Sequence, residues 1–198
     1  GLFASIAGAI SLSGASIANA KIQTLKNGMA LDTFSIRHSH IIQTVQHLTL
    51  SKLERRISRA IQGEINFSSE LLEAGDISRV SKKKAFNIAS EVIIDNNASQ
   101  KNTVIEVNGA DRIGFLHDVT ASLTKSGLQI SSAHIATYGE KVVDVFYVRD
   151  GFGHKIENSD KLQKIRQLIL ETIKAGSLIG KNTASANVKT SKQKSLVF

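Results

Sequence analysis

Cysteine is absent from this 198-residue chain, which removes a disulfide framework, a thiolate nucleophile and a cysteine-based zinc site together. Proline is absent as well, where average usage would supply about 10. Catalytic signatures are missing in the same way. The chain has no Gly-x-x-x-x-Gly-Lys loop, no Asp-x-Asp pair and no Gly-x-Ser-x-Gly elbow. Acidic residues are missing from Ser177 to Phe198. Hydrophobic residues reach 41% and charged residues 21%, near the soluble globular average, so wholesale disorder is excluded. The length allows one large domain or two of under about 100 residues each.

The net charge is +8, which raises nucleic acid or acidic lipid as partners. Its distribution argues against both. Lys181, Lys189, Lys192 and Lys194 supply half of the excess, in a stretch rich in Ser, Thr, Asn and Lys without hydrophobic periodicity. Residues 177–198 therefore read as a basic, disordered tail. Lys82-Lys83-Lys84 reads as a charged loop, and Arg55, Arg56 and Arg59 as the polar side of a helix. Aromatic residues are not interleaved with these cations, as a single-strand surface requires. The expectation is no nucleic-acid partner. Residues 1–20 are uncharged but lack a basic n-region, and their serines, glycines and Asn19 make a poor spanning helix. No membrane partner is expected either.

An internal repeat organises the chain. Adding 113 lays Gly1 on Gly114, Gly14 on Gly127, Ile17 on Ile130, Ala20 on Ala133 and Ile22 on Ile135. After the turn an offset of 112 lays Asp32 on Asp144, Phe34 on Phe146 and Arg37 on Arg149. Leu2, Phe3, Ile6 and Ile10 correspond to Phe115, Leu116, Val119 and Leu123, a stripe at three- and four-residue spacing that marks one buried helix face. The second copy carries His117, Asp118 and Lys125 on its other face, so the first copy is a repeat helix and not a membrane segment.

Each copy predicts a helix ending at glycine, a strand, a tight turn, a second strand and a second helix. The strands are Ser16–Leu25 and Met29–Arg37, then Gln129–Tyr138 and Val142–Arg149. The second helices run from about Thr44 to Ile61 and from about Ser159 to Lys174, the first with Val45, Leu48, Leu53, Ile57 and Ile61 on one side. Ala85–Asp95 predicts the strand that closes the first copy, and Thr103–Asn108 the strand that opens the second. Gln62–Lys84 reads as a loop with a short helical turn. The fold class is α/β (α+β): two tandem ferredoxin-like βαββαβ units. The first lacks its opening strand, and the sequence begins with Gly rather than Met, so the chain reads as a fragment. The predicted domains are 1–98, with an insertion at about 62–84, then 99–176, then the tail.

Asp111-Arg112-Ile113-Gly114-Phe115-Leu116, between a strand and a helix, resembles the Asp-Arg-Pro-Gly-Leu-Leu ligand loop of ACT domains. Ile130–Ile156, and Gly28-Met29-Ala30-Leu31-Asp32-Thr33-Phe34 in the first copy, resemble the last two ACT domains of the bacterial protein-PII uridylyltransferase/uridylyl-removing family. The likeness covers about Gly1 to Lys174. Ile113 departs from it, standing where the family usually has proline and so removing a preset φ. The resemblance implies a regulatory module that senses an amino acid, glutamine above all, and biases catalytic domains of the same polypeptide that modify the PII signal protein. It implies a cytoplasmic chain without catalytic residues, metal or cofactor of its own, whose parent's catalytic domains need a divalent metal. A stand-alone tandem adaptor that binds an amino acid and a partner protein is the alternative.

The residues themselves offer a site beside the loop. A helix starting at Gly114 points free N–H groups and the positive end of its dipole at the loop, which suits a carboxylate. Asp111 offers a carboxylate to an ammonium group, and Asn108 both donates and accepts. In ACT pairs the loop of one domain faces the second strand of its neighbour. That brings Ser16 and Asn19 against the Asp111 loop, and Gln129 and Ser132 against its counterpart before Gly1. With Arg112, Gly114 and Phe115 these are the candidate ligand residues. Asp111 also reads as a plain helix cap, and Asn108, Ser16 and Asn19 as ordinary loop or strand-edge polarity. His117-Asp118 imitates a metal-phosphohydrolase doublet but reads as exposed helix surface. His38 and His40 would bind metal only adventitiously. Asp32 and Asp144 read as strand residues that fix the hairpins.

Overall fold

The computed structural model describes residues 1–24, 29–38, 50–79 and 88–193; for 23, 24, 30, 38, 76–79 and 177–193 only the backbone is described. The turn at 26–28, Val45, Leu48, the Lys82-Lys83-Lys84 run and residues 194–198 lie outside that set.

Alternating apolar residues and glycine punctuation give the order α1 (Leu2–Leu12), β1 (Ala15–Thr24), β2 (Ala30–His38), α2 (Leu50–Ile61), α3 (Phe67–Arg79), β3 (Glu91–Asp95), β4 (Thr103–Ala110), α4 (Phe115–Lys125), β5 (Gln129–Tyr138), β6 (Lys141–Arg149) and α5 (Ser159–Gln193). The repeat is reproduced down to strand register. Ile22 stands opposite Asp32 and Ala20 opposite Phe34; Ile135 stands opposite Asp144 and Ala133 opposite Phe146. Both hairpins slip by one residue at the same place, between Ile17 and Asn19 and between Ile130 and Ser132. Ile22 and Ile135 are equivalently buried.

β1 and β2 form one sheet, and the other has the order β3-β4-β6-β5, all antiparallel. β1 lies alongside β5, α1 packs against α4, and α2 and α5 flank them. The result is a layer of helices over a layer of strands, an α+β organisation in keeping with two ferredoxin-like units. Alternation puts Val142, Asp144, Phe146 and Val148 of β6 on the helix side, all buried. α1 is part of this core, with Phe3, Ala7, Ala9 and Ile10 buried. Its C-terminal carbonyl at Leu12 accepts a hydrogen bond from Arg56 of α2.

Four expectations need correction. β3, expected to close the first copy, pairs instead with β4 in the second sheet. Among the described residues the first copy has no strand before α1 to carry that ladder. The edge of β4 away from β6 would be left unpaired by the second copy, whose chain after β6 continues as α5, and β3 fills it. Residues 62–84, expected to be a loop with one turn, contain the 13-residue α3. α5 continues to Gln193 through the segment expected to be unstructured from Ser177. Propagating a helix from packed turns avoids a second nucleation cost, and no proline interrupts it. Finally, Ile61, expected on the apolar side of α2, is 53% exposed.

Candidate functional site

β4 ends at Ala110 and α4 begins at Phe115, so residues 111–114 cross from sheet to helix. The Asp111 N–H donates to the Glu140 carbonyl at 2.8 Å, which pins the crossing to the turn between β5 and β6. Gly114 is the N-cap of α4 with φ 77°, a left-handed conformation strained for any residue with a Cβ. A Cβ there would also stand 3.1 Å from the Leu71 side chain of α3. The N-cap is a glycine, so it brings no side-chain cap of its own to α4. The positive end of the helix dipole faces the loop.

The start of β1 faces this crossing. Between them lies a cavity of about 50 Å³, several times the roughly 10–15 Å³ that one water requires. Ser11 of α1 and Ser16 and Ile17 of β1 form one wall, and Asp111, Arg112 and Ile113 the other. Ile135, Thr137, Val142 and Asp144 line it from β5 and β6. An apolar lining with a few convergent polar groups is the ordinary character of a small-molecule site.

Of the sequence-predicted residues, the cavity gathers Ser16, Asp111, Arg112 and Phe115. Gly114 stands beside it at the helix start. Asn108 is buried elsewhere, on the face of β4 turned away from the helices; its Nδ2 donates to Glu106 Oε1 at 2.8 Å and its Oδ1 has no partner among the described residues. Asn19 and Gln129 are exposed, Ser132 is half-buried, and none of the three lines the cavity. Asn19 and Ser132 directly follow the residue skipped by their hairpin's register slip.

Arg112 commits its charge to the helix side. Its Nη2 donates to Asp118 Oδ2 at 2.6 Å, its Nη1 to the Ile113 carbonyl at 3.2 Å, and its guanidinium stands 5.7 Å from the centre of the Phe115 ring. Burial opposes ionisation of Asp118, but the His117 hydrogen bond and the Arg112 guanidinium together hold its carboxyl below the ordinary value. His117 and Asp118, expected on an exposed helix face, are therefore half-buried. The His117 ring lies 4.7 Å from the Phe67 ring of α3, so the unanticipated helix covers His117, while Arg112 and His117 flank Asp118. Among the described residues no group of three His, Asp or Glu is placed to hold a metal, and no helix is long and apolar enough to cross a membrane.

Sequence reasoning did not single out Asp144 as a site residue. It is 1% exposed, its Oδ1 has no hydrogen-bond partner among the described residues, and it lines the cavity. Burial pushes its carboxyl up to about 7, against a hydrogen bond from the Ala136 backbone N–H and with added repulsion from Asp111. The signal was present as an acid in register with Val142, Phe146 and Val148 on the apolar face of a strand.

With the geometry in place, likeness to known proteins is informative. Residues 98–176 match the ACR family N-terminal ACT domain. The chain is 44% identical over 173 residues to the bifunctional uridylyltransferase/uridylyl-removing enzyme of Gluconobacter oxydans, covering 87% of this chain and 18% of that one. The enzyme of the same name from Azospirillum brasilense is 43% identical over 174 residues, with the same coverage of 87% and 18%. That from Zymomonas mobilis is 42% identical over 180 residues, 90% of this chain and 19% of that one. The chain thus spans about a fifth of the length of these relatives. No solved structure matches it. Residues 98–176 belong to the ACT domain family, and over most of its length the chain is homologous to bifunctional uridylyltransferase/uridylyl-removing enzymes.

Proposed function

We propose that the chain is a cytoplasmic regulatory module that binds glutamine between its two copies and biases the catalytic domains of a uridylyltransferase/uridylyl-removing polypeptide acting on the PII signal protein. The observation that carries this reading is the cavity itself. Ser16 of one copy and Asp111 of the other line it, and the glycine N-cap of α4 adjoins it. The first-turn dipole of α4 suits the ligand carboxylate. Asp111 suits its ammonium group through a charge-assisted hydrogen bond. A ligand that bridges the copies favours one arrangement of the pair over another. A coupling of about 1–3 kcal/mol would shift the enzyme's balance by roughly 5–150-fold. The chemistry belongs to the catalytic domains, and this segment transmits the signal.

Calorimetry of the 198-residue chain with glutamine tests the reading. A saturable heat is expected, and Asp111→Ala should weaken binding about tenfold or more, since a hydrogen bond to a charged group contributes about 1.5–3 kcal/mol. Thermal unfolding of the variant should stay close to that of the parent chain, because Asp111 is a half-buried loop residue. Absence of heat, or equal affinity in Asp111→Ala, would overturn the assignment.

A further inference from the structure

Resting on the reading of this cavity as an amino-acid site, we propose that Asp144 is its second ligand carboxylate, bracketing the ligand's ammonium group together with Asp111. Three observations converge on it. Asp144 lines the cavity together with Asp111 and with Phe115 at the start of α4, it is 1% exposed, and among the described residues its Oδ1 has no hydrogen-bond partner. A buried acceptor left unpaired is costly, and a donor entering the cavity would satisfy it. The backbone N–H of Ala136 already holds the carboxylate from β5, so the group is oriented before a ligand arrives.

The charges around it favour a cation. From the crossing between β4 and α4, Asp111 and Arg112 face the cavity, and the guanidinium of Arg112 is engaged by Asp118. Among the described residues, α1, β1 and β5 present Ser11, Ala15, Ser16, Ile17, Ile135 and Thr137 to it, none of them titratable in the neutral range. Among the described residues the cavity lining therefore has two carboxyl groups, Asp111 and Asp144, and one cation, Arg112, which is paired with Asp118.

Binding is then linked to a proton. Without ligand, burial and Asp111 hold the Asp144 carboxyl near 7, so it is about half protonated at neutral pH. An ammonium group between the two carboxylates favours the ionised form, and the proton leaves to solvent as the ligand enters. Affinity should rise about tenfold between pH 6 and pH 8 and level off above that, until the ligand's own ammonium titrates.

The test is calorimetry of the 198-residue chain with glutamine at pH 7 in two buffers of different ionisation heat, with affinity followed from pH 6 to pH 8. The expected result is release of about half a proton on binding and the rise in affinity just described. Asp144→Asn should bind about tenfold more weakly at pH 8 and show neither proton release nor pH dependence. Binding without proton release and with flat affinity would overturn the role of Asp144 and leave the glutamine reading intact. Unchanged affinity in Asp144→Asn would do the same. Absence of binding by the parent chain at every pH would overturn both.

Discussion

Replacing Asp144 with asparagine should make the unliganded protein more stable at pH 8 and leave it nearly unchanged at pH 4. The carboxyl is raised from 3.8 to about 7 in the folded protein. A folded-state value above the unfolded one means that the native chain holds its proton more tightly. Stability from this group is therefore fully present below about pH 4 and lost as pH rises towards 7. Three units correspond to about 4 kcal/mol. The asparagine amide is itself buried and keeps part of the desolvation cost, so the net gain at pH 8 should be about 2–3 kcal/mol. In a chain of this length that raises the unfolding midpoint by roughly 5–10 °C. An equal or lower midpoint at pH 8 would mean that the folded protein satisfies the ionised carboxylate, and burial would then not be what raises it.

The second large effect separates the two copies. Phe146 and Phe34 occupy the same place in the repeat, each opposite an alanine of the partner strand. Phe146 is 0% exposed on the central strand β6, flanked by β4 and β5. Phe34 sits on β2, an outer strand of a two-stranded sheet; it is partly buried and stacks on Phe3 with ring centres 5.5 Å apart. Truncating a fully enclosed phenylalanine removes its transfer free energy and leaves a cavity, at about 3–5 kcal/mol. Phe146→Ala should cost that much. Phe34→Ala should cost about 1–2 kcal/mol, because its exposed side already meets water and its site collapses more easily. Urea unfolding of the two variants side by side makes the comparison. Equal losses would mean that the first copy is as tightly enclosed as the second.

The repeat explains why so much of the fold is legible in the sequence. Gly14 and Gly127, with φ of 76° and 73°, mark the helix ends, and matched apolar residues carry one copy's register over to the other. The elements that depart from expectation depend on contacts distant in sequence. α3 has Gly75 and many polar residues; Leu71 against Gly114 and Phe67 against Gly8 and His117 tie it to α4 and α1. β3 is a strand by its own residues, but which sheet it joins depends on which edge is open. Half of the candidate site is legible for the same reason. Asp111 and Ser16 follow from a local loop and a paired strand, whereas the placement of Asn19 and Ser132 depends on a register slip that residue spacing does not reveal.

The most direct test of the central claim, that an amino acid sits between the copies, is to titrate the isotope-labelled 198-residue chain with glutamine and follow its backbone amides by NMR. A ligand in the cavity predicts that the largest shifts fall on Ser16, Ile17, Asp111, Ile113, Leu116 and Thr137, from both copies at once and saturating together. Shifts confined to one copy, shifts gathered around Asn108 and Glu106 on the opposite face of the sheet, or no shifts at saturating glutamine would contradict it.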